Sequence, residues 1–168
     1  MVLLKLILRI LFGNSKEDKP DRLKNIVEFI KREEGFSPTP YRCNANILTI
    51  GYGTTEGVTE DMVVTEKEAT KLLRNYIEHS LKDIEAIFTS TLLLNHQVDA
   101  ILSFVYNIGM PRFKSSTLLK CLLDNDIDGV KKQWMRWVYV DRKYNKGLYA
   151  RRKRELNLFL TGDYDNDR

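Results

Sequence analysis

The chain has 168 residues, 43% of them hydrophobic and 30% charged, a balance that suits a single compact soluble unit or two small lobes sharing a helix and argues against disorder. Two cysteines in a chain of this length exclude a disulfide framework. The net charge of +4 is unevenly spread: from Pro111 onward 14 Lys and Arg stand against 8 Asp and Glu, a basic segment that favours anionic partners such as nucleic acid, membrane surfaces or bacterial envelope polymers.

Residues 1–13 read MVLLKLILRILFG. The stretch is far shorter than the ~20 residues a transmembrane helix needs, and Lys5 and Arg9 interrupt it. Those two cations stand four apart, so a helix presents both on one face with leucine and isoleucine around the rest. That arrangement suits a helix lying in a membrane interface. An export signal without a small-x-small cleavage site and an N-terminal helix packed on its own protein are the alternatives. Residues 14–19 are polar and read as a linker, so the expected division is an apolar basic segment over 1–19 and a folded domain over 20–168.

Pro20 suits a first helical turn, preceded by Asp18 or Lys19. Leu23, Ile26, Val27 and Ile30 recur at helical spacing and Gly35 supplies a stop, so a helix is predicted over about 21–34, ending Glu33-Glu34-Gly35. Residues 36–58 are rich in proline, asparagine and glycine among short apolar runs, which predicts a small hairpin region. Thr65 followed by Glu68 is a capping box ahead of a long helix over about 66–88. Asn95 is the expected cap of an apolar helix carrying Val98, Ile101, Leu102 and Val105 that ends near Gly109. Further helices are expected from Ser115 or Ser116, from Asp126 or Asp128, and over about Leu148–Leu160. The predicted fold class is α+β: a sheet lobe over about 36–64 and a helical lobe over about 65–164, joined by a long helix.

Glu34 stands at a helix C-terminus, where unpaired carbonyls present partial negative charge and favour a neutral acid. A glycosidase needs such a proton donor on one side of the scissile bond and a water-activating or attacking group on the other. Glu33 shares the location, and periodicity does not separate the two. Downstream, a turn at Asn44-Ala45-Asn46 sets Cys43 opposite Ile47 and Tyr41 opposite Thr49, which brings Cys43 and Thr49 to one surface able to hold a water. Gly51 and Gly53 remove side chains where a polymer could approach the backbone. Cys121, by contrast, lies in an apolar run and reads as a small core residue.

Glu34-Gly35, Tyr41-Arg42-Cys43 and Leu48-Thr49-Ile50-Gly51-Tyr52-Gly53 together resemble the phage lysozymes, the endolysins of T-even and lambdoid phages. The family signature is a Glu, eight residues, an Asp or Cys, five residues and a Thr, and Glu34, Cys43 and Thr49 reproduce both gaps. Residues 95–109, 115–119 and 147–162 resemble the family's later helices, so about 21–164 is covered. The resemblance selects Glu34 over Glu33. It implies hydrolysis of the β-1,4 bond between N-acetylmuramic acid and N-acetylglucosamine in bacterial peptidoglycan, by a monomer that needs no metal or organic cofactor. It further implies an enzyme made in the host cytoplasm and acting in the periplasm, to which the apolar basic residues 1–13 add an expected association with the inner membrane.

The family pairs an arginine of its closing helix with the catalytic Glu, and Arg151 is the matching position; Asn107 and Tyr41 border the same cleft. Two departures stand out. Position 43 is Cys where many members carry Asp, and a thiol of ordinary pKa, about 8.5, is a poorer base at neutral pH. Thr54 stands where the family often has His, so a histidine–carboxylate buttress of the sheet is absent. The alternative function is a catalytically weakened peptidoglycan-binding or envelope scaffold.

Other signals are weaker. Asp124-Asn125-Asp126-Ile127-Asp128-Gly129 opens like a calcium loop, but its twelfth position is Met135, and His79 and His96 stand alone. Lys131 to Arg154 interleaves ten basic residues with five aromatics in the manner of a single-strand nucleic-acid surface. Two amphipathic helices with aromatic core faces explain that composition better, and no nucleic-acid partner is expected.

Overall fold

The computed structural model describes residues 21–43 and 46–165. The expected membrane-seeking segment, the linker, the Pro20 helix start and the Asn44-Ala45 part of the expected turn lie outside the described residues.

Helix α1 (Lys24–Glu34) buries Ile26, Val27, Phe29 and Ile30 and stops at Gly35, whose φ of +70° is open to glycine at little cost. Its start is held by Asp21, whose carboxylate accepts the Leu23 N–H at 3.1 Å. Strands β1 (Ser37–Arg42) and β2 (Leu48–Gly51) pair antiparallel, with Tyr41 opposite Thr49 and Arg42 opposite Leu48. The Cys43 N–H donates to the Ile47 carbonyl at 3.0 Å, so the predicted register holds. The ladder is irregular between Ser37 and Tyr41, where Pro38 and Pro40 have no N–H to give.

Gly51 has a different role from the one expected. A side chain there would meet the Ala69 Cβ at 2.9 Å, so this glycine lets the sheet press onto the next helix and does not open the cleft. That helix, α2 (Glu66–Ile87), spans 22 residues and buries Ala69, Leu73, Ile77 and Ile84. The capping box forms as predicted: Thr65 Oγ1 accepts the Glu68 N–H at 3.3 Å and Glu68 Oε2 accepts the Thr65 N–H at 2.8 Å.

Helix α3 (Asn95–Ile108) runs through the core with Ala100, Ile101, Leu102, Phe104 and Val105 buried. Asn95 is its first residue and not its cap; instead Gln97 Oε1 accepts the Leu94 N–H at 2.9 Å. Helix α4 (Met110–Lys114), begun by Pro111 in its first turn, was not anticipated. Helix α5 (Thr117–Leu123) is capped by Ser116, and α6 (Ile127–Trp134) by Asp126, which accepts the Gly129 N–H at 2.9 Å. Helix α7 (Lys146–Thr161) is capped by Asn145 and packs along α3. The reading of Lys131–Arg154 as two helices is corrected by a hairpin of β3 (Tyr139–Val140) and β4 (Lys143–Tyr144). Its turn places Asp141 and Arg142 at φ of +48° and +64°, an Asp-Arg pair that lacks the glycine usually marking such a turn.

The core centres on Phe104, Phe113, Trp134 and Phe159, with Phe104 edge-on to Trp134 at 5.1 Å between ring centres. Among the described residues no helix is long and apolar enough to cross a membrane, and no group of three His, Cys, Asp or Glu is placed to hold a metal ion.

Candidate active site

The two acidic residues that end α1 enter unlike environments. Glu33 is 5% exposed and clamped by Arg154 of α7, Nε to Oε1 at 2.6 Å and Nη2 to Oε2 at 2.8 Å. Both its oxygens are occupied, which is the geometry of a structural ion pair. Glu34 is 21% exposed and, among the described residues, takes its one ion pair from Arg151, Nη1 to Oε1 at 2.6 Å. Its other oxygen, Oε2, lies 3.8 Å from where a side chain on Gly53 would begin. Gly53 sits at φ of +107°, so both its backbone conformation and the missing side chain keep that face of the acid open.

Tyr106 of α3 closes the same corner. Its hydroxyl donates to the Tyr52 carbonyl at 2.6 Å, which pins the loop after β2 against the helical side. Burial first, then the charge of Glu34, pushes the Tyr106 hydroxyl far above the usual tyrosine range, so it stays a donor. From the outside, Tyr52 donates to Glu66 Oε1 at 2.8 Å, and Lys31 reaches the same carboxylate at 3.1 Å. A tyrosine–carboxylate–lysine group thus buttresses the loop where a histidine is missing.

On the sheet side, Thr49 is 3% exposed and its hydroxyl donates to the Ile47 carbonyl at 3.1 Å, which leaves the oxygen lone pairs to accept. Cys43 is a half-buried thiol. Tyr41 is exposed; burial of its hydroxyl end first, then the charges of Glu34 and Cys43, push its ionisation upward. Tyr41 thus feels the charges of both Glu34 and Cys43.

Two hollows are lined by neighbours of Glu34, one by Gly53 and the other by Arg151. One, of about 820 Å³, is lined by Gly53, Thr54, Tyr76, His79 and Tyr106. The other, of about 680 Å³, is lined by Glu33, Asn107, Trp137, Arg151 and Arg154. Asn107 borders this second hollow and its Oδ1 accepts from Arg152 Nη2 at 2.8 Å.

A family model described as Phage lysozyme matches residues 31–155. The chain belongs to that family. It is similar to an endolysin of Acyrthosiphon pisum secondary endosymbiont phage 1, 36% identical over 137 residues that cover 77% of this chain and 91% of the relative. A SAR-endolysin of Bacteriophage PS119 is 33% identical over 130 residues, 77% of each chain. The solved endolysin from Escherichia coli O157:H7 phage FAHEc1 superposes with a TM-score of 0.75 at 27% identity, covering 84% of this chain and 94% of that one. The fold is the α+β fold of phage lysozymes, and the activity is that of the family, a muramidase acting on bacterial peptidoglycan.

Sequence reading missed Tyr106, Arg152 and Glu155, which complete the helical side of the site. Glu155 had a readable signal: it follows Arg151 by four residues and Arg152 by three, so one helix face holds all three.

Proposed function

We propose that Glu34 is the proton donor for cleavage of the β-1,4 bond between N-acetylmuramic acid and N-acetylglucosamine. The observation that carries this reading is the asymmetry of the Glu34 carboxylate, one oxygen bonded to Arg151 and the other beside Gly53. Oε2, the oxygen beside Gly53, would carry the proton, while Arg151 holds Oε1. A water accepted by Thr49 and oriented by Cys43 then attacks the anomeric carbon from the opposite face, which inverts its configuration. Arg151, Asn107 and Tyr41 border the bound glycan. The sheet-bearing part, about 36–64, and the helical part, about 65–164, supply the two walls.

Proton NMR of freshly cleaved soluble peptidoglycan tests the water route. The α-anomer forms first if water attacks directly, and an initial β-anomer would establish a covalent intermediate instead.

Residues 1–13 are the membrane-associating part of this reading. Support comes from their apolar run with Lys5 and Arg9 spaced four apart, and from relatives named SAR-endolysin. On this reading the enzyme is made in the host cytoplasm and acts in the periplasm during host lysis. Full-length protein is expected in the membrane fraction and protein lacking residues 1–13 in the soluble one; equal partitioning would remove the membrane role.

A further inference from the structure

We propose that Glu155 is a positioning residue that sets how strongly Arg151 opposes protonation of Glu34, and thereby fixes the alkaline limit of turnover. The proposal rests on the reading of Glu34 as the acid.

Glu155 is wholly buried at the meeting of α3, α6 and α7, 0% exposed. Its Oε1 accepts from Ser103 Oγ at 2.9 Å and Arg151 Nε at 2.9 Å, and its Oε2 accepts from Trp134 Nε1 at 3.1 Å. Two neutral donors from other helices thus fix the carboxylate, and its charge is shared between two arginines. Arg152 lies on the other side, with Nε 3.0 Å from Oε2 and Nη2 3.3 Å from Oε1. Its guanidinium covers the Phe104 ring at 4.7 Å, and among the described residues its Nε and Nη1 meet no group in hydrogen-bond geometry.

A guanidinium stays protonated in a protein. The buried group therefore holds two positive charges and one negative one, and Arg151 carries the excess to Glu34 by its 2.6 Å bond. Burying such a triad adds little stability compared with apolar residues of the same volume, so stability alone is a poor reason for it. The other groups that feel the charge of Glu34 are the Tyr106 hydroxyl of α3 and the Tyr41 hydroxyl of β1, which in turn feels Cys43. Glu33, next on α1, is neutralised by Arg154. Glu155 is thus the acidic group that tempers Arg151 within the network.

Replacing Glu155 with glutamine leaves both arginines uncompensated and holds Glu34 as a carboxylate to lower pH. Replacing Arg152 with glutamine leaves Arg151 balanced by Glu155 and has the opposite effect. The double variant restores the original net charge. The test is the initial rate of purified peptidoglycan clearing against pH at fixed ionic strength, with thermal unfolding of each variant and Glu34→Gln as control. Glu155→Gln is expected to move the alkaline limb down by about 0.5–1 pH unit, Arg152→Gln to move it up by a similar amount, and the double variant to return near wild type.

Loss of packing alone lowers Tm without moving the limb. Limbs that stay in place, or move in the same direction in both single variants, would overturn the proposal. If Glu155→Gln does not fold, Arg152→Gln decides: an upward shift supports the proposal and no shift overturns it. Turnover by Glu34→Gln would instead overturn the assignment of the acid, whereas an inactive Glu34→Gln with unmoved limbs would overturn only the role of Glu155.

Discussion

The two walls of the cleft are built by different means. The helical wall is a chain of charge-assisted bonds reaching into the core: Glu34 to Arg151, Arg151 to Glu155, Glu155 to Arg152 and Trp134. The sheet wall is a short hairpin whose candidate side chains are set by backbone register, with the Thr49 hydroxyl bonded to the nearby Ile47 carbonyl. On the proposed reading the acid is therefore placed by side chains that must keep their charges, and the water side by a ladder that tolerates side-chain change. Damage to the buried links behind Glu34 in the first wall should appear in stability and rate together, and damage to the second wall in rate alone.

The sharpest break of this contrast is Arg151→Met, which strands Glu155 beside a single arginine and frees Glu34. It is expected to cost about 3–5 kcal/mol in denaturant unfolding, as when one partner of a buried pair is lost, together with most of the activity. Thr49→Val keeps the shape and removes the hydroxyl. Turnover should fall roughly 10²-fold in peptidoglycan clearing with Tm nearly unchanged, and a large Tm loss would show that the sheet wall is also side-chain built. Cys43→Ser keeps a water ligand and should lower turnover by less than about 10-fold, whereas a covalent role for the thiol predicts a loss nearer 10³-fold. Tyr106→Phe removes the hydroxyl that pins the Tyr52 carbonyl across the two walls. It should cost about 1 kcal/mol and lower the rate only a few-fold.

The sheet wall was largely legible in the sequence because a hairpin register follows from counting. Tyr41 opposite Thr49 and Cys43 opposite Ile47 come from the length of the turn alone. The helical wall was less so. Its bonds join residues far apart in the chain, Arg151 to Glu34 and Ser103 to Glu155, and no local spacing predicts those meetings. The pairing of Arg151 came from family resemblance, while Glu155 lay within reach of a helical-face argument. Caps show the same division. Thr65 and Glu68 close a local box as read, whereas Asn95 lost the capping position to Leu94 because Gln97 closes the turn from inside the helix. The β3–β4 hairpin stayed hidden, since its Asp-Arg turn carries neither glycine nor asparagine.

Glu33 and Glu34 hold the central claim in its smallest form, two adjacent carboxylates of which one is structural and the other chemical. The direct measurement is turnover and Tm of Glu33→Gln and Glu34→Gln on the same purified peptidoglycan. Glu34→Gln is expected to lose turnover by on the order of 10³-fold while keeping its Tm, and Glu33→Gln to unfold earlier while still cleaving. The reverse pattern, an active Glu34→Gln beside an inactive but stable Glu33→Gln, would contradict it.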